Sequence, residues 1–243
     1  MSNPVLVIAD LHLDPSRPRT TEAFLRFLRD EVPHAEALYI LGDLFEAWIG
    51  DDAAPADDPT LTALHAAATT TPIYVMHGNR DFLIGDEFAR RTGATLLPDP
   101  STVRIHQEPV VLLHGDSLCT DDPEYMAFRA MVRDPQWQRQ FLAQTIAERI
   151  EQARDARATS TERNQELDQA IMDVTPEAVA QTFSEHQVRW MIHGHTHRPA
   201  IHRVSTPIGE GRRFVVGDWF EQGSLLRCWP GRWELETLPL PRG

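Results

Sequence analysis

Five short apolar runs in this chain end alike, and that repetition restricts the fold more than any other feature. VLVIADLH closes on Asp10 and His12, LYILGD on Asp43, IYVMHGN on Asn79, VVLLHGD on His114, and WMIHGHTH on His195 and His197. Short apolar runs rich in β-branched residues and bounded by turn residues read as buried strands. Each carries a potential metal ligand just past its C-terminal end, the edge of an open α/β sheet where ligands bind. Helical patterns lie between the first strands. TEAFLRFLRDEV sets Ala23, Phe24, Phe27 and Leu28 on one stripe behind a Thr cap, DPTLTALHAAAT follows, and GDEFARRTG closes on Gly93. After the fifth run come AIHRV, RRFVVGDW, GSLLRCW and RWELETL, short strands separated by turns. Alternating strands and helices followed by a run of strands predict an α/β sandwich. Between the fourth and fifth runs the pattern is helical throughout. Residues 121–175 of this stretch read as a helical insertion within a single domain spanning 1–243.

The 243 residues, 42% of them apolar, suffice for such a core. No stretch of 18 apolar residues suggests a membrane span, and the N-terminus lacks the basic, then apolar, pattern of a secretory signal. Cys119 and Cys228 are too few for a disulfide framework, which suits a reducing compartment. The net charge of −13 argues against nonspecific nucleic-acid binding and a broadly basic membrane surface. Metal-bound carboxylates would make that count an overstatement, and the basic residues are arginines, suited to forked phosphate contacts.

Two Asp, one Asn carbonyl and several His form a mixed oxygen and nitrogen donor set without thiolate, matching Mn²⁺, Mg²⁺, Fe²⁺ or Zn²⁺. So many ligands exceed one tetrahedral ion and suit two ions about 3.5–4 Å apart, bridged by a carboxylate. Asp43 is the natural bridge, since the tight turn after Gly42 exposes both its oxygens. Gly42, Gly78, Gly115 and Gly194 let the backbone approach closely. Singly, DLH, GD, GNRD and HGD are ordinary turns or strand ends. GHTH is the strongest piece, because alternate residues of an extended segment point the same way.

The ordered set D-x-H, G-D, G-N-R-D, H-G-D and G-H-x-H resembles the calcineurin-like metallophosphoesterases over residues 4–115 and 188–220. The resemblance implies a four-layer αββα sandwich with the helical insertion as a lid. It places Asp10, His12 and His197 on one metal and Asn79, His114 and His195 on the other, with Asp43 bridging and manganese as the usual ion, two per chain. His77 and His193 are then hydrogen-bonded strand histidines. ADLHL, ALYILGDLFEAWIGDD, HGNRDFLIG, LLHGDSLCTDD, IMDV and HGHTHRPA narrow the resemblance to members acting on UDP-2,3-diacylglucosamine in lipid A biosynthesis. Activity of that kind is water attack at the α-phosphorus, giving UMP and 2,3-diacylglucosamine 1-phosphate. Asp43, Asn79, Arg80, His114 and His195 would carry the reaction. Asn79, Arg80, Asp122, Ser160, Asn164 and His195 would bind substrate. Leu167 departs from the Lys usual there, and Arg157 and Arg163 are candidate substitutes.

Trp48, Phe82, Leu83, Tyr125, Phe128, Phe141 and Ile171 are candidates for an acyl-chain slot, although apolar stripes at helical spacing commonly form core. A lipid substrate requires transient membrane contact, expected of residues 136–150 through Trp137, Phe141, Ile146 and Ile150. The resemblance thus implies a peripheral protein on the cytoplasmic side of the inner membrane, taken as a monomer and without a nucleic-acid partner. The same motifs fit a general phosphodiesterase or nucleotide phosphatase. A non-catalytic metal-binding scaffold fits them less well, because all seven ligand positions are filled.

Overall fold

In the computed structural model, residues 2–166 and 173–241 are described, with backbone alone over 160–166. In chain order the strands are β1 (Val5–Ile8), β2 (Ala37–Leu41), β3 (Ile73–Met76), β4 (Thr95–Leu97), β5 (Ser101–Ile105), β6 (Glu108–Leu112), β7 (Trp190–His193), β8 (Ala200–Thr206), β9 (Gly209–Val215), β10 (Gly223–Trp229) and β11 (Arg232–Leu238). The helices are α1 (Pro18–Asp30), α2 (Pro59–Ala68), α3 (Asp86–Thr92), α4 (Pro123–Val132), α5 (Pro135–Leu142), α6 (Ile146–Glu166) and α7 (Pro176–His186). One sheet runs β11-β10-β1-β2-β3-β4 and the other β5-β6-β7-β9-β8.

Alternation within the strands builds the layers. Leu6, Ile8, Leu38, Ile40, Ile73 and Val75 face α1 and α2 and form one core with Phe24, Phe27, Leu28, Leu61 and Leu64. Their neighbours Val5, Val7, Tyr39, Leu41 and Met76 point the other way, against Val110, Leu112, Ile192 and Phe214 of the second sheet. Val111, Leu113 and Met191 then face Val179 and Phe183 of α7. Helices, sheet, sheet and helix make the expected four-layer αββα sandwich. Strands buried on both faces explain why the sequence shows apolar runs there rather than strict alternation.

Two local expectations are corrected. Helix α1 starts at Pro18, with Arg17 at the cap and no side-chain cap bond, so no Thr caps it. Thr20 is instead buried and donates its hydroxyl to the Trp219 carbonyl at 3.1 Å. Strands β4 and β5 lie in a stretch where no strand is expected; β4 is only three residues long, and β5 alternates half-buried with exposed residues up to the buried Ile105.

Three parallel pairings bring neighbouring strand ends to one edge: β1 with β2, β2 with β3, and β6 with β7. Helices α4 to α6 lie between β6 and α7 in sequence and are tied to the loops at that edge largely by arginines. Arg129 bonds Asp116 at 2.8 Å and Asp99 at 3.2 Å, and Arg133 donates to the Gly78 carbonyl at 2.8 Å. Arg149, only 1% exposed, pairs with Asp52 and donates to the Ile49 carbonyl at 2.6 Å. Gly50, at φ 122°, leaves room for that guanidinium, which a Cβ there would overlap.

Candidate metal centre

At this edge the backbone takes an unusual shape. Asp10, His12, Asp43, His195 and His197 all have φ between 49° and 68°, five of the seven non-glycine positive-φ residues among the described residues. Such conformations cost roughly 1–3 kcal/mol each and persist where surrounding contacts impose them. This changes how GHTH works. β7 ends at His193, and His195 and His197 lie in successive left-handed turns rather than on an extended segment. The turns aim them at different partners.

His197 Nε2 lies 3.3 Å from His12 Nε2 and 3.5 Å from Asp10 Oδ1. His195 Nδ1 lies 3.0 Å from Asn79 Oδ1, to which His114 Nε2 also comes within 2.9 Å. Asp43 Oδ2 stands between these groups, 3.6 Å from His12 Nε2 and 3.8 Å from His114 Nε2. The other oxygen, Oδ1, accepts the Arg80 backbone N–H at 2.8 Å, so one Asp43 oxygen, not both, faces the centre freely. Asp10 Oδ2 is similarly held by the His195 N–H at 2.8 Å. The seven expected ligand residues therefore converge, and Asp10 touches both halves: it groups with His12 and His197 and also with Asp43 and His114.

The donor set fits divalent cations. Asp10 Oδ1 and His12 Nδ1 are buried with no hydrogen-bond partner, and two imidazole nitrogens face each other across 3.3 Å beside a carboxylate oxygen. Burial pushes His12 down to about 3 and His195 down to about 4, keeping both imidazoles neutral with a lone pair to offer. Burial also opposes a charge on His114, but the Asp43, Asp116, Asp10 and Asp99 carboxylates outweigh it and hold that imidazole up at about 9. Burial raises Asp43 to about 7, with the neighbouring Asp81 and Asp10 carboxylates adding to the rise and His114 and Arg80 opposing it. His114 Nδ1 lies 2.9 Å from the Leu41 carbonyl, a bond that leaves Nε2 for the centre.

The glycines leave room for the carboxylates of the centre. A Cβ on Gly78 would overlap Asp43, and one on Gly194 would overlap Asp10 Oδ2. His77 and His193 are hydrogen-bonded as expected, His77 to the Ile84 carbonyl at 2.7 Å, and His193 to the Gly194 carbonyl at 2.8 Å and Arg213 at 2.9 Å.

From Asn79 and Arg80 a cavity of about 560 Å³ opens toward α4–α6. Trp48, Phe82, Leu83, Tyr125, Phe128 and Phe141 line it, as do Met131 and Trp137. Ile171, Leu167 and the side chains of Ser160, Arg163 and Asn164 lie outside the described residues. Asp122 caps α4, accepting the Tyr125 N–H at 2.9 Å, and is not part of the cavity wall. Arg157 lines the cavity and pairs with Glu46 at 2.8 Å.

The expected membrane residues divide. Phe141 is buried and Trp137 packs on the core, so neither is available to a bilayer. Ile146 and Ile150 are exposed, at 41% and 43%, and Leu142 joins them at 40%.

Three acidic positions escape a reading based on strand-end ligands. Asp81 is fully buried and accepts four backbone N–H groups, from Asp43, Leu44, Phe45 and Gly78. Asp116 receives the Tyr125 hydroxyl at 2.9 Å as well as Arg129. Glu46 is buried beside His12 and takes Arg17 and Arg157. Their signal lies within the strand-end motifs themselves, since GNRD, HGD and GDLFE each carry one of these acids.

Comparison with known proteins agrees with this architecture. The calcineurin-like phosphoesterase family matches residues 3–199. A UDP-2,3-diacylglucosamine hydrolase of Stenotrophomonas maltophilia (strain K279a) is 52% identical over 242 residues, covering 96% of this chain and 98% of that protein. One of Xanthomonas campestris pv. campestris (strain ATCC 33913) is 53% identical over 244 residues, covering 97% and 99%. The chain belongs to the calcineurin-like phosphoesterase family.

Proposed function

We propose that this chain hydrolyses the pyrophosphate of UDP-2,3-diacylglucosamine, a step of lipid A biosynthesis, with two manganese ions. The observation carrying the reading is the apolar cavity that opens directly onto Asn79 and Arg80 beside the converging ligands. A simple phosphodiester needs no such cavity, whereas acyl chains gain about 0.8 kcal/mol per buried CH₂. The relatives' printed name supplies the substrate.

Asp10, His12 and His197 would hold one ion and Asn79, His114 and His195 the other, with Asp43 between them. Bound there, the ions supply a lowered pKa for water and compensation of phosphate charge. The chain's own groups do the rest. Arg80 offers a guanidinium at the cavity mouth for forked contact with a phosphate oxygen. The held Asn79, His114 and His195 fix where the phosphate sits. The water oxygen ends in UMP, and the bridging oxygen leaves with the sugar 1-phosphate. That leaving group is a phosphate monoester with second pKa near 6, so it needs no proton donor. The helices around the cavity would act as a lid, and Asp122, Ser160 and Asn164 would contact the substrate.

The test sets UDP-2,3-diacylglucosamine beside bis-p-nitrophenyl phosphate, with purified protein and Mn²⁺. UMP release from the lipid with little cleavage of the simple ester is expected. The reverse preference supports a general phosphodiesterase, and silence on both overturns the enzymatic reading.

We also place the chain at the cytoplasmic face of the inner membrane as a peripheral protein. No described helix is long and apolar enough to cross a membrane, while Leu142, Ile146 and Ile150 are exposed apolar side chains of α5 and α6. A Leu142→Glu/Ile150→Glu variant is expected to lose most flotation with liposomes and keep its thermal stability. Flotation equal to wild type would sink this placement.

A further inference from the structure

The cavity occupies one side of the centre, and its wall includes neither His12, His197 nor Phe220. On that other side Phe220 is 42% exposed. The exposure is not the slack of a loose loop. Trp219, next to it, is fully buried, packs edge-on against Phe24 and Phe27, and donates its backbone N–H to the Asp10 carbonyl at 3.1 Å. The Phe220 N–H itself is held by Asp218 at 2.9 Å. The fold thus fixes an exposed aromatic ring 5.3 Å from both the His12 and His197 rings. Arg17, which also pairs with Glu46, adds a cation, its guanidinium carbon 4.6 Å from the Phe220 centroid.

The geometry points to a nucleotide subsite on this side, with Phe220 as the surface against which the base of a nucleoside monophosphate packs and Arg17 as the cation facing its phosphate. This rests on the reaction proposed above. A diphosphate cleaved at the centre must extend in two directions. The apolar cavity takes the lipid half, so the nucleotide half lies toward Phe220 and Arg17. Aromatic rings accept any base face, and guanidinium groups favour phosphate oxygens, so the pair matches the chemistry of that half.

The experiment titrates UMP and, separately, 2,3-diacylglucosamine 1-phosphate into Mn²⁺-loaded wild type, Phe220→Ala and Phe220→Trp by calorimetry. Phe220→Ala is expected to weaken UMP binding about tenfold, with Phe220→Trp restoring it and the lipid product bound equally by all three. Arg17→Ala should weaken UMP in the same selective way. Equal UMP affinity across wild type, Phe220→Ala and Phe220→Trp overturns the subsite, as does parallel weakening of both ligands or no UMP binding by wild type. Wild type that binds UMP through Phe220 but leaves UDP-2,3-diacylglucosamine intact would overturn the proposed reaction while keeping the subsite.

Discussion

Asp43→Ala is expected to lower turnover of UDP-2,3-diacylglucosamine by about a thousandfold or more, even at saturating Mn²⁺. Asp43 Oδ2 faces both His12 and His114, so its removal deprives both halves of the centre of a shared negative charge. Alanine also frees the Arg80 N–H that Oδ1 accepts, loosening the residue expected to grip phosphate. Metal analysis of the same variant is expected to show about half the wild-type manganese or less. Removing metal from wild type has a matching thermal signature. An ion present at about 100 times its Kd stabilises by about 2.7 kcal/mol, so chelation should lower Tm by roughly 5–10 °C. The variant should show a much smaller drop. Wild-type turnover or wild-type metal content in Asp43→Ala would remove Asp43 from the bridging position.

What the sequence shows of this centre follows from which signals are local. Strand type and order are legible because burial on both faces makes β1, β2, β3, β6 and β7 apolar runs, and topology brings their ends together without any long-range knowledge. The ligand residues are legible for the same reason, being the polar residues that close those runs. The path from run to ligand is not legible. His195 and His197 look alike on an extended segment, whereas their left-handed turns send one toward Asn79 and the other toward His12. The apolar residues of 136–150 show a parallel limit. Spacing reveals an apolar face but not what covers it, and tertiary packing takes Trp137 and Phe141 into the cavity wall while leaving Ile146 and Ile150 outside. Long-range pairs such as Arg149 with Asp52 leave no local trace at all.

The most consequential of the acids outside the expected ligand set is Asp81. Its carboxylate accepts the N–H groups of Gly78, Asp43, Leu44 and Phe45 at 2.8, 3.3, 2.7 and 3.3 Å. These bonds lock the loop after β3 against the loop after β2, the two segments that carry Asn79 and Asp43. Alanine would strand four donors in a site with no water access through Asp81 itself, which is 0% exposed. Each buried donor left without a partner costs about 1–3 kcal/mol, and partial relaxation brings the expected loss to about 4 kcal/mol. Urea unfolding of the metal-free protein measures it directly, free of any contribution from bound ions. Asp81→Asn keeps the shape and one acceptor oxygen but turns an N–H₂ toward the remaining donors, so it should recover only part of the loss. Manganese affinity should fall with both variants, by about 10–100-fold, as for other residues that orient ligands without touching the ion. If Asp81→Ala unfolds within about 0.5 kcal/mol of wild type, the four bonds are not what holds the two loops in register.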